Sequence, residues 1–278
     1  MRIGVGTTLP HENPHEWAKL LHGWGCTTAV CPVDATASVA VRDEYLREAR
    51  HYGLSIGEVG VWRNVMSPEP QERNASISYA KAQLALAEEI GAGCCLNISG
   101  NAGPGGWDQY SPENYSEESY GRLVDTTREI IDAVHPERTY YAIECMPWML
   151  PDSPESYLRL LADINRPQLR VHLDYTNMIN GVPRWRQLRQ FIQECFTQLG
   201  PHIVSVHAKD IRLGGALPTT ITETQPGTGS VDFDLVLRLA SALPGNVTVY
   251  TEHLETIEEY RDAVAFLRRT AGKAGIAA

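Results

Sequence analysis

Residues 140–145 (YYAIEC), 169–174 (LRVHLD), 203–210 (IVSVHAKD) and 247–252 (VTVYTE) decide how this chain folds. Each is a short apolar, β-prone run that reaches one metal-capable side chain at its end: Glu144, Asp174, His207 and Glu252. Side chains alternate between the two faces of a strand. If Glu144 points inward, so does Ala142, while Tyr141 and Ile143 face outward. Asp174 brings His172 inward with it, and His207 brings Ser205 and Lys209. The four end residues are each about one strand-plus-helix unit apart, the last interval being longer.

Working outward, the same rhythm fills the chain. Further candidate strands are Ile3–Thr8, Thr28–Pro32, Ser55–Val61 and Cys94–Ser99, and amphipathic segments such as 74–90, 117–134, 154–164 and 186–199 lie between strands. Eight strands alternating with helices argue for a parallel α/β fold. No shift in composition marks a linker, so the expectation is one domain over residues 1–278, folded as a (β/α)8 barrel. Gly25, Gly53 and Gly91 suit helix C-terminal caps. Two long polar connections, 100–116 and 212–230, follow strands four and seven and should border the functional face. Residues 271–278 read as a frayed tail.

Composition narrows the function. The chain has 278 residues, 43% apolar and 21% charged, with a net charge of −10. That acidity disfavours nucleic acid as a partner, because phosphate binding needs a basic surface. No run of 18 apolar residues suggests a membrane span, and the start of the chain lacks a secretory pattern. The six cysteines form no CxxC pair and read as reduced, buried thiols, which makes the cytoplasm the expected location. A homo-oligomer is compatible with all of this.

Converging strands would bring Glu144, Asp174, His207 and Glu252 to one patch. Three carboxylates and an imidazole make a hard, oxygen-rich donor set, suited to one divalent cation: Mn2+ first, with Mg2+, Co2+ or Zn2+ as alternatives. Around it stand candidate substrate contacts: His172, Asn177, Lys209, Arg212, Trp107 and Trp148. Lys209 is also expected to pair with an acid such as Glu58. Asn97 and His11 are weaker candidates, and His253 should point away from Glu252 toward a helix. The glycines of PGTGS (226–230) lack a full nucleotide-binding fingerprint and read as a turn toward the eighth unit.

These motifs, with HLDYTN (172–177), SVHAKDI (205–211), PGTGSVDFDLVL (226–237) and TEHL (251–254), resemble the xylose-isomerase-like TIM-barrel superfamily over essentially the whole chain. That superfamily includes sugar phosphate isomerases, ketose 3-epimerases, inosose dehydratase and endonuclease IV. The resemblance implies a TIM barrel, a Mn2+ or Mg2+ ion on the four residues, and Glu144 and Glu252 as the catalytic acid/base pair. The implied reaction is isomerisation or epimerisation of a sugar or sugar derivative through a metal-stabilised enediolate. A lyase or dehydratase acting on a keto sugar or inosose is the alternative, ahead of a non-catalytic barrel subunit or an endonuclease-IV-like phosphodiesterase. One departure is Asn177, where ketose 3-epimerases place a His; an amide cannot titrate near neutral pH. The extra histidines of endonuclease IV are not recognisable either.

Overall fold

The computed structural model describes residues 1–277. Eight parallel strands form its central sheet: β1 (Arg2–Val5), β2 (Thr28–Val30), β3 (Ser55–Gly60), β4 (Cys94–Ile98), β5 (Tyr141–Glu144), β6 (Leu169–Leu173), β7 (Ile203–His207) and β10 (Thr248–Thr251). Two further strands, β8 (Asp210–Leu213) and β9 (Ile221–Thr224), pair with each other as an antiparallel hairpin outside that sheet. The order of the large sheet is β1-β10-β7-β6-β5-β4-β3-β2. Its two ends meet where Thr27 N–H donates to the Ile3 carbonyl at 2.9 Å and Ile3 N–H donates to Thr27 Oγ1 at 3.1 Å. The sheet thus curls into the (β/α)8 barrel.

Local chemistry fixes the helices around it. In α1 (Pro14–Gly23), Asn13 accepts from Glu16 N–H and Pro14 opens the first turn. Serine caps start α4 (Glu117–Val134) and α5 (Pro154–Ile164), and α9 (Ile257–Lys273) begins with a Thr256/Glu259 capping box. Such caps satisfy N–H groups the first helical turn leaves open. Gly91 closes α3 (Pro70–Ile90) at φ 69°, and Gly25 and Gly53 adopt positive φ behind their helices. The apparent tail is different: α9 continues to Lys273, Ala271 is buried and Ile276 packs on the core. Only Ala278 of that segment lies outside the described residues.

Apolar packing divides into two layers. Tyr141, Ile143, Val171, Leu173 and Val206 belong to the large core shared with the helices, whereas Cys94, Leu96 and Ala142 form a small cluster of their own. The barrel interior also holds polar groups, including Thr28, Glu58, His172 and Ser205, all buried. Space there is tight. A Cβ on Gly57 would stand 2.1 Å from Tyr250 Oη and 2.6 Å from Thr28 Oγ1. Tyr250 and Thr28 are themselves hydrogen-bonded across the barrel at 3.1 Å. Gly57→Ala should therefore lower the unfolding free energy by roughly 1–3 kcal/mol, the usual cost of overpacking. Denaturant titration measures this, and an unchanged midpoint would show that the interior has slack.

Candidate metal centre

The strand order places β7 between β10 and β6, with β5 beyond β6. The imidazole of His207 on β7 is consequently flanked by acids from neighbouring strands. Its Nδ1 lies 3.1 Å from Glu144 Oε1, 3.1 Å from Glu252 Oε2 and 3.6 Å from Asp174 Oδ2. One donor atom from each of these four residues lies within 4.8 Å of the others. Asp174 and His207 are fully buried, Glu144 nearly so, and Glu252 is the most open of the four.

Three carboxylates so close together in a largely buried site need cations. Burial alone would raise the Asp174 and Glu252 carboxyls, but His207 and Lys209 outweigh it and hold both below the usual range. For Glu144 burial wins, and its carboxyl is raised despite His207. His207 is raised above an ordinary histidine, the surrounding carboxylates overcoming its desolvation. Thr176 holds the other oxygen of Asp174, donating from N–H at 3.0 Å and from its hydroxyl at 2.6 Å. Asp174 Oδ2 and Glu252 Oε2 have no hydrogen-bond donor, although Lys209 Nζ lies 2.9 Å from each. The donor set and these free lone pairs fit one divalent cation.

A cavity of about 630 Å3 opens above this cluster. Glu144 and Glu252 line it, with Asn177 from the loop after β6, Trp148 from the loop after β5, Trp107 and Asp108 from the 100–116 connection, and Ile221 and Glu223 from the hairpin. Both long connections border the same cavity. Asn177 donates to Glu144 Oε1 at 3.3 Å and to the Cys145 carbonyl at 3.0 Å, which ties its amide to the cluster.

Several residues sit elsewhere than the sequence suggested. Arg212 is exposed and donates to the Thr228 carbonyl at 3.0 Å; it does not line the cavity, because it lies on the hairpin face opposite Ile211 and Glu223, which do. His172 does not reach the cavity either. It lies beneath the cluster, with Nδ1 2.5 Å from Ser205 Oγ and its ring edge-on to His207 at 4.0 Å. Lys209 is buried behind the cavity wall and pairs with Asp174, Glu252 and Glu223, not with Glu58. Asn97 is turned onto the Arg63 backbone, and His11 bonds the Leu9 carbonyl and Tyr45.

His253 breaks the strand alternation because its backbone is left-handed, at φ 54°. It swings toward the site, with Nδ1 3.0 Å from both Lys209 Nζ and Glu223 Oε2, and it lines the cavity. Glu223 and Trp62, the latter also left-handed at φ 49°, are cavity residues that sequence reasoning passed over. Glu223 lay hidden inside a segment read as loop. The alternation in DIRL and ITET, separated by GGALPTT, was the available sign of a hairpin. The PGTGS turn has a different anchor: Asp210 accepts from the N–H groups of Gly227, Gly229 and Val231 at 2.8–3.0 Å.

The Xylose isomerase-like TIM barrel family matches residues 21–270, and the chain belongs to that family. No curated protein matches it in sequence. Three solved structures illustrate the likeness. One is a xylose isomerase-like TIM barrel protein from Mycobacterium smegmatis in complex with magnesium (15% identity, TM-score 0.70, covering 95% of this chain and 90% of that one). Another is 3-keto-D-glucoside 4-epimerase from E. coli (15%, 0.69, 97% and 99%). The third is the probable 3-DHS dehydratase of Bacillus anthracis (15%, 0.70, 90% and 92%). At these identities the likeness is one of fold. Among the described residues, no helix is long and apolar enough to cross a membrane.

Beneath the cluster, Glu58 is fully buried with neither carboxylate oxygen hydrogen-bonded. Burial pushes its carboxyl up to about 8. Between the unfolded value near 4.5 and that folded value, only the folded chain keeps the proton. Stability must therefore fall as pH rises through this window. Glu58→Gln removes the ionisable group. Relative to wild type, the metal-free variant should gain on the order of 2–4 kcal/mol between pH 5 and pH 8. Denaturant unfolding at both pH values reads this, and parallel pH profiles for the two proteins would contradict it.

Proposed function

We propose that this protein is a divalent-metal-dependent isomerase or epimerase of a sugar or sugar derivative. The observation that carries the reading is the convergence of Glu144, Asp174, His207 and Glu252 at the floor of a cavity that also exposes two of the carboxylates. These four residues would hold the cation, Mn2+ being the first candidate. When bound, it supplies Lewis-acid stabilisation of the charge that develops as a carbon beside a carbonyl loses its proton. The chain's own residues do the rest. One of Glu144 and Glu252 takes the proton and the other, or the same one, returns it. Trp107 and Trp148 offer apolar ring faces to a sugar. The hairpin and the 100–116 connection border the site.

A lyase reading shares the first proton abstraction and then expels a hydroxyl or glycosyl group. Asn177 favours keeping it in view, since an amide tied to Glu144 and Cys145 cannot itself move a proton in an epimerisation. A panel of keto sugars and their derivatives, assayed with Mn2+-loaded protein for isomers and for unsaturated products, separates the two.

The acid/base assignment has its own test. General acid–base catalysis contributes about 10²–10⁴-fold. Glu144→Gln or Glu252→Gln, assayed at saturating metal, should therefore lose at least about a hundredfold in turnover. In D2O the wild type should place deuterium on the carbon beside the carbonyl. Near-normal turnover in both variants would reduce the two residues to ligands, and no exchange alongside it would favour a hydride shift.

A further inference from the structure

Lys209 is the one buried lysine in the barrel mouth, and its surroundings are unusual. Its Nζ lies 2.9 Å from Asp174 Oδ2 and 2.9 Å from Glu252 Oε2, the same carboxylate oxygens that face His207 Nδ1. It donates to Glu223 Oε1 at 3.3 Å and meets His253 Nδ1 at 3.0 Å. Toward Asp174 and Glu252, however, the close approach is an ion pair and not a hydrogen bond. One positive charge is thus shared between two carboxylates, and neither oxygen has a hydrogen-bond partner.

We propose that Lys209 is a permanent second cation of the centre, sharing Asp174 and Glu252 with the divalent ion and holding that ion's affinity down. The inference rests on the metal-dependent reading above. The charges support it: three carboxylates carry three negative charges, and a divalent ion with one ammonium balances them, His207 being neutral as a ligand. Without Lys209 the loaded centre would keep a net negative charge and attract the ion more strongly. With it, two like-signed cations stand against the same two carboxylates, and their repulsion in a largely buried site opposes metal binding. The arrangement is held from outside the centre. Glu223 reaches Lys209 from the hairpin, and the left-handed turn at His253 closes the other side. Lys209 is therefore a positioning residue that acts through the ligands, without touching the cavity.

A purely structural lysine predicts the opposite sign. If Lys209 only braced Asp174 and Glu252, its loss would splay them and weaken metal binding. The test is calorimetric titration of metal-stripped protein with Mn2+ near neutral pH, comparing wild type with Lys209→Met and Lys209→Gln. Both variants should bind Mn2+ at least about tenfold more tightly, by the Coulombic argument. A variant that folds only with metal is prepared loaded, and the rate at which excess chelator strips the ion is followed; it should be slower than in wild type. Unchanged or weaker binding, or faster stripping, overturns the role given to Lys209 and leaves the metal centre standing. A folded wild-type protein that takes up no Mn2+ overturns the metal-dependent reading itself, and the role of Lys209 with it.

Discussion

Three carboxylates crowded into a nearly dry barrel mouth are the constraint on which the rest of this structure depends. Such a group is stable only beside compensating charge. One strand supplies it: β7 and its extension carry His207 and Lys209, two positions apart and so on one face. The strand order then matters chemically. Because β10 and β6 flank β7, Glu252 and Asp174 reach these groups from either side, and Glu144 completes the set from one strand further on. The same four acids and bases on strands in another order would not meet.

The segment His207–Asp210 links this centre to the cavity wall. Positions 207 and 209 serve the centre, and Asp210 turns the other way into the backbone of the 227–231 turn. Gly229 is needed at that turn, since a Cβ there would stand 2.3 Å from Asp210 Oδ1. The turn fixes the base of the hairpin, and the hairpin returns Glu223 to Lys209. Four consecutive residues therefore join metal-capable side chains, their counter-charge and the loop that covers them.

Much of this was legible in the sequence because barrel geometry turns periodicity into position. Eight short strands at regular intervals announce the barrel, and period-2 alternation sorts Glu144, Asp174 and His207 from their apolar neighbours. Reading failed where the backbone leaves that period. His253 follows Glu252 and should face outward, yet its left-handed φ brings it back to the site. The alternation turns Lys209 inward but does not single out its partners. Glu58 sits lower on β3, near His172 at 3.8 Å, whereas Asp174 and Glu252 are at the same height as the ammonium. Arg212 and Glu223 lie on opposite faces of a hairpin whose glycine- and proline-rich turn resembles an unstructured loop in composition.

The contrast between Glu58 and Glu252 shows which force governs the interior. Both are glutamates on barrel strands or their ends, and for both desolvation is the largest influence on the carboxyl. Glu58 has only His207 as a nearby positive group and Glu144 and Glu252 as repelling neighbours, so burial prevails and it keeps its proton near neutral pH. Glu252 has His207, Lys209 and His253, and their combined attraction overcomes the same desolvation. Depth alone therefore does not separate the two layers. The arrangement of cations along β7 does: Glu58, His172 and Ser205 lie in the lower layer, and in the upper layer His207 and Lys209 hold Asp174 and Glu252 ionised. A barrel with the upper carboxylates but no lysine beside them would be left with more negative charge than a divalent ion could balance.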